Sequence, residues 1–157
     1  MVRYKFRYFV AEFEWEDGRT GGGLEGKTLI RSLRSSVSSL AGPVGRGMCD
    51  RMAVSFLHPA TSIAIIRAPF VAADIVRAAL LATTTLSVGK GRTRQERSCT
   101  PVILHTSGTI AKAKRAIIKR NRRLNMQVAR QANGGEGRVR REGEGEVVDM
   151  EVAGEEV

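Results

Sequence analysis

Residues 52–68, MAVSFLHPATSIAIIRA, decide the fold. Met52, Val54 and Phe56 alternate with Ala53, Ser55 and Leu57, the period of two that a strand with unlike faces requires. His58-Pro59-Ala60 carries a turn, and residues 61–68, with Ile63, Ala64, Ile65 and Ile66 in a row, return as a second strand. A tight hairpin means antiparallel pairing, because parallel neighbours need a long crossover. On the N-terminal side of the hairpin, Leu29, Ile30, Leu33, Val37 and Leu40 recur at helical spacing, which predicts a helix over 27–41 ended by Gly42-Pro43. On its C-terminal side Pro69 opens a helix over 70–83 that buries Val71, Ile75, Val76, Ala79 and Leu80.

The outermost elements are strands. Over residues 1–16, Tyr4, Phe6 and Tyr8 alternate with Arg3, Lys5 and Arg7; then Phe9, Ala11, Phe13 and Trp15 take up the apolar positions. The change of apolar phase near Phe9 predicts a bulge, or a basic arm leading into the strand proper. Residues 17–26 form a glycine-rich connection, residues 84–100 a polar basic loop, and 101–106 a fourth strand with Val102, Ile103 and Leu104. The order strand, helix, strand, strand, helix, strand is the split βαβ, or ferredoxin-like, pattern. It predicts an α+β fold, an antiparallel sheet with helices on one face, followed by one added C-terminal helix.

That last helix is basic. Residues 104–130, LHTSGTIAKAKRAIIKRNRRLNMQVAR, contain Lys112, Lys114, Arg115, Lys119, Arg120, Arg122, Arg123 and Arg130, with no Asp or Glu. Ile110, Lys114, Ile117, Asn121, Leu124 and Val128 recur along one stripe, so the helix is only partly apolar. A solvated face normally mixes signs to limit self-repulsion, and one-signed charge over this length calls for a polyanion. Residues 1–130 carry 23 Lys/Arg against 8 Asp/Glu, a net +15, whereas residues 131–157 carry 3 against 8, a net −5. The chain therefore reads as a basic domain over 1–130 and an acidic Gly/Glu-rich tail over 131–157 too poor in apolar residues to order itself. A basic body points to nucleic acid. The membrane alternative is weaker, since no apolar run approaches the roughly 18–20 residues that span a bilayer and the N-terminus lacks the apolar core of a secretory signal.

Motifs of catalysis are weak by comparison. Residues 21–28, GGGLEGKT, fit the phosphate-binding pattern G-x-x-x-x-G-K-[ST]. The strand before them alternates instead of running apolar, and it ends in Glu14, Glu16 and Asp17, which would repel a triphosphate. No later apolar strand ends in an Asp to hold Mg²⁺, so a small nucleotide-binding enzyme is the least favoured reading. His58 and His105 have turn and packing roles, and Cys49 and Cys99 form neither a metal spacing nor a disulfide framework, which suits a reduced compartment. At Ser107-Gly108-Thr109 a helix begins, where unpaired N–H groups and a glycine-bare backbone suit a phosphate; Ser107 or Thr109 as a plain helix cap needs no ligand. The aromatic residues by which an RNA-recognition sheet stacks bases are missing from TSIAIIRA, residues 61–68. Phosphate contacts from helix and loop are then the expected mechanism, shape-based and sensitive to salt.

MVRYKFRYFVAEFEW at residues 1–15, TSIAIIRA in the hairpin, and LHTSGTI followed by a helix ending in KRNRRL together resemble the small "Pop five" protein-subunit family of ribonuclease P and ribonuclease MRP. The order and spacing cover about residues 1–130, and the LH-x-x-GTI segment with NRR downstream is the most specific part. The resemblance implies an RRM-like fold and a protein that assists an RNA enzyme cleaving precursor tRNA at its 5′ end, with a further role in rRNA processing. The protein is then not an enzyme by itself; it binds no cofactor, and the Mg²⁺ belongs to the partner RNA. Implied partners are that ribonuclease P/MRP RNA, a TIM-barrel-like protein subunit and a second small subunit of similar fold, in the nucleus and its nucleolus. A general RNA-binding or ribosome-associated module shares the charge pattern but not the motif match. Matched position by position, Arg3, Lys5, Arg7 and Tyr8 fall in the N-terminal pattern, Arg67 ends the third strand, and His105, Gly108, Thr109 and Ile110 fall in the turn. Asn121, Arg122 and Arg123 close the helix motif. The expected RNA-binding set is Arg3, Lys5, Arg7, Arg67, Ser107, Gly108, Thr109, Lys112, Lys114, Arg115, Lys119, Arg120, Arg122 and Arg123, with no catalytic and no metal-binding residue. The hairpin, the first helix and the sheet edge are left for protein contacts.

Overall fold

The computed structural model describes residues 4–19, 22–89 and 94–142, with side chains described as far as residue 131. Its elements are β1 (Phe6–Trp15), α1 (Gly26–Met48), β2 (Ala53–His58), β3 (Ile63–Pro69), a 3-10 turn (Phe70–Ala72), α2 (Ala73–Ala82), β4 (Thr85–Val88), β5 (Gln95–Ser107) and α3 (Ile110–Glu142). The sheet order is β2-β3-β1-β5-β4, and every pairing is antiparallel. The chain falls into two units, Met1–Ile117 and Ile118–Val157.

β1 is the central strand, between β3 and β5, and like β3 it has apolar residues on both faces. Phe9, Ala11 and Phe13 pack with Leu29, Leu33 and Val37 of α1 and Val76, Ala79 and Leu80 of α2. On the other face Val10 joins Ile63 and Ile65 of β3, and Ala113 of α3 is buried against them with Ile117 beside it. Helices therefore cover both faces: α1 and α2 one, the opening turns of α3 the other. Burying side chains the size of Phe9, Leu29 or Ile65 contributes roughly 1.5–3 kcal/mol each. Ala113, not Lys114, holds the inward position on α3, and Lys114 is exposed.

Several boundaries differ from the sequence reading for identifiable reasons. The expected loop over 84–100 is a hairpin, with Thr85 opposite Ser98 and Val88 opposite Gln95. Leu86, Val88 and Cys99 supply a short apolar alternation, all buried, that the surrounding arginines mask in the sequence. Arg97 ties this hairpin to the end of β1: its Nε donates to Asp17 Oδ2 at 2.9 Å and its guanidinium lies 4.4 Å from the Trp15 ring centroid. The Arg97 hydrogen bond holds the exposed Asp17 carboxyl below its ordinary pKa. Trp15 in turn donates its Nε1–H to Ser62 Oγ at 2.7 Å.

α1 does not stop at Gly42-Pro43. Gly42 takes φ 61° and ψ −159°, a conformation open to glycine alone, and the helix restarts behind it and runs to Met48. Pro43 tolerates that place because the first residues of a helical segment need no N–H partner. α2 likewise begins one 3-10 turn later than Pro69 suggests. The irregularity expected in β1 lies on its neighbour: Val10 pairs with His105 and Ala11 with Ile103, so Leu104 is the extra residue, on β5. The described helix α3 continues to Glu142, beyond Arg130 and into the stretch read as tail, in spite of three glycines there that each weaken a helix by about 1 kcal/mol relative to alanine. Residues 143–157 of that tail lie outside the described residues.

Candidate nucleic-acid interface

Strand register brings the predicted basic residues to one end of the sheet. Tyr8 lies opposite Arg67 on β3 and opposite Ser107 on β5. Lys5, Arg7, Arg67 and the Ser107-Gly108-Thr109 turn therefore meet where β1 begins and β3 and β5 finish. The Phe70 N–H donates to the Lys5 carbonyl at 2.9 Å, which fixes the start of β1 to the turn after β3.

Arginines at this end lie over aromatic rings. Arg7 stands 4.8 Å from the Phe70 centroid, Arg67 4.7 Å from Phe6, and Arg51 3.9 Å from Tyr4. Such stacking holds a guanidinium in place while leaving donors in its plane for a phosphate. Arg67 Nε is buried without a hydrogen-bond partner, a cost of about 1–3 kcal/mol that the stack on Phe6 offsets in part. The pairings of Arg51 with Tyr4 and of Arg7 with Phe70 leave no mark in the sequence, because each joins residues from separate segments.

Arg7 also closes on the turn. A Cβ built on Gly108 would meet Arg7 Nη1 at 3.0 Å, so the bare backbone lets the guanidinium lie against the start of α3. Ser107 is buried and its Oγ donates to the Thr109 carbonyl at 2.8 Å; Thr109 Oγ1 accepts from the Lys112 N–H at 3.4 Å, a long helix cap. The capping role thus occupies both side chains, and what remains for an anion is the helix end with Arg7 and the exposed Lys112.

Farther along, α3 sorts its charges. With Ala113 and Ile117 facing the sheet, Lys112, Lys114 and Arg115 point away and are exposed. In the second unit, at about 100° per residue, Lys119, Arg122, Arg123 and Arg130 fall on one stripe of the helix, about 16 Å long. Those four are exposed, and Arg120, partly buried, lies off the stripe. Arg3 lies outside the described residues.

The remaining motifs hold no comparable geometry. Thr28 of the GKT segment is 5% exposed, so its hydroxyl is closed to a nucleotide's metal, and Gly21 lies outside the described residues. His58 Nδ1 lies 3.0 Å from Thr61 Oγ1 inside the hairpin turn, and His105 is an exposed strand residue. Among the described residues no group of three or more His, Cys, Asp or Glu side chains is placed to hold a metal ion, and no helix is long and apolar enough to cross a membrane. Both cysteines are free and buried, and burial pushes both thiols up. Along the open sheet edge a groove of about 570 Å³ runs between β2 and α1, lined in part by Ile30, Met52, Val54, Phe56 and Leu57.

A sequence model of the Rpp14/Pop5 family matches residues 7–118. The human "Ribonuclease P/MRP protein subunit POP5" is 31% identical over 124 residues, 78% of this chain and 74% of the relative. The mouse protein of the same name is 31% identical over 78% of this chain and 71% of its own, and the bovine protein 32% over the same shares. A chain in the cryo-EM structure of yeast ribonuclease MRP aligns with a TM-score of 0.44 at 14% identity, over 80% of this chain and 98% of that chain.

Proposed function

The chain belongs to the Rpp14/Pop5 family, and from that premise we propose that it is a protein subunit of the ribonuclease P and MRP ribonucleoproteins that binds their RNA through the basic end of its sheet and through α3. It is not the catalyst. It neutralises phosphates near the RNA core and so favours the RNA fold that uses Mg²⁺ to mature the 5′ end of precursor tRNA, and that processes rRNA. The observation that carries this reading is the register of β1 between β3 and β5, which gathers Arg7, Arg67 and the start of α3 beside a helix whose Lys112, Lys114 and Arg115 all face away from the sheet. The groove beside β2 suits protein docking, because an open edge strand offers unpaired backbone groups next to apolar side chains. Its occupants are a TIM-barrel-like subunit and a second small subunit of similar fold, and the assembly works in the nucleus and nucleolus.

Reconstituted cleavage of precursor tRNA tests this. Ribonuclease P RNA and the partner subunits are assayed with and without the chain across Mg²⁺ and salt. The chain lowers the Mg²⁺ requirement or raises the rate, and changing Lys114, Lys119, Arg122 and Arg123 together to Ala removes the gain. A rate indifferent to the chain, with recovery from cells on ribosomal RNA alone, would move the protein to the general RNA-binding class.

A further inference from the structure

α1 carries a second one-signed surface, which shares Lys27 and Ile30 with the groove beside β2 and otherwise lies outside it. From Gly26 to Met48 the sequence has no Asp or Glu. Leu29, Leu33 and Val37 are buried against the sheet, which turns Lys27, Arg31 and Arg34 outward, each of them exposed. Spaced at i, i+4 and i+7, they form a stripe about 10 Å long. With Ser35, Ser38 and Arg46 they line an open basin of about 640 Å³, and none of the residues that line it is acidic. Arg34 Nη2 donates to the Asp50 backbone carbonyl at 3.3 Å, so its guanidinium is held by the chain.

The chemistry of the lining selects the ligand. Ile30 is its one apolar member. Protein-docking surfaces centre on apolar and aromatic anchors and are depleted in lysine, whereas phosphate backbones are met by Arg, Lys and Ser side chains with little else. We propose that the outer face of α1 binds the phosphate backbone of a second RNA segment. α1 packs on one face of the sheet and the opening turns of α3 on the other. The domain is thereby a bridge between two RNA segments, one on each side. This rests on the RNA-binding reading of α3 and adds to it a surface outside the expected set of RNA-contacting residues.

The test uses the full chain and three variants. One is Arg31→Ala with Arg34→Ala and Arg46→Ala, three basin residues outside the groove beside β2, one the fourfold α3 alanine variant, and one Arg31→Lys with Arg34→Lys, which keeps the charge. Affinity for ribonuclease P RNA is measured across salt, and bridging is read as recovery of a labelled RNA duplex on bead-bound ribonuclease P RNA. Each lost phosphate contact lowers the log–log salt slope by about 0.7–0.9, so the α1 triple variant is expected to lower it by roughly 2–3 and to abolish bridging while still binding one RNA. The double lysine variant retains slope and bridging, which separates charge from fold. An α1 triple variant with unchanged slope and bridging overturns the proposal. So does one that binds RNA normally but fails to recruit the protein subunits, which would make the face a protein-docking surface. Loss of RNA binding in the α3 variant keeps the RNA-binding reading standing in either case; an α3 variant with unchanged binding and slope removes that reading and this one together.

Discussion

Cys99 lies opposite Trp15 where β5 pairs with the end of β1, and it is 2% exposed. Burial, aided by the nearby Glu16 carboxylate and opposed by Arg97, pushes its thiol up from 9.0 to about 11. The unfolded chain therefore releases this proton at lower pH than the folded one. Stability from the buried thiol is complete below about pH 9 and falls as pH rises toward 11, because in that window the unfolded state binds fewer protons. In urea titrations the wild type is expected to lose stability relative to Cys99→Ala across that window, and parallel curves would contradict it. The same burial keeps both thiols slow toward thiol reagents until the chain unfolds. At the site, Gly108 shows how a single missing atom matters. A methyl group there meets only the far end of the Arg7 side chain and no backbone. Gly108→Ala is thus expected to leave the thermal midpoint nearly unchanged while weakening RNA binding, which a melt and a filter-binding titration on one sample would show.

Among the elements, α1 and the β4–β5 hairpin depart most from local expectation. Gly42 sits at φ 61° and ψ −159°, where an added Cβ is strained even though open space surrounds it. Gly42→Ala is expected to destabilise the fold by about 1–3 kcal/mol in chemical denaturation, with no effect on RNA contacts made through α3. A stability unchanged within error would mean that the kink relaxes. The four expected strands, two of the three helices and the antiparallel order are legible in residues 1–106, because each rests on a local period of two or of 3.6. Thr85–Val88 was not legible as a strand. Four residues with one clear alternation become a strand only when residues 95–98 arrive beside them. α3 was legible as a basic helix, but its inward residue was mistaken: Ala113 is too small to signal burial, and it is buried because β1 and β3 present Val10, Ile63 and Ile65 to it.

For the molecule as a whole, charge is the organising quantity. A net +15 over residues 1–130 faces a net −5 over 131–157 in the same chain. If about five basic side chains meet phosphates, the log–log salt slope of RNA binding is roughly −3.5 to −4.5. If the acidic segment competes with RNA for the basic surfaces, deleting residues 133–157 is expected to raise non-specific RNA affinity at low salt. Equal affinities for the full and shortened chains would reduce that segment to a solubilising appendage.

From the sequence alone came the α+β class, the antiparallel hairpin, the basic character of the last helix and the family resemblance. Periodicity, charge and motif spacing are properties of residue order, and they survive without any partner in space. Tertiary structure alone decided that Arg7 lies against Gly108 and Phe70, that Arg67 stacks on Phe6, that β4 joins the sheet, and that α1 and the opening turns of α3 pack on opposite faces of it. Each depends on register and packing between segments far apart in the chain, where one residue of slip would send every side chain to the other face.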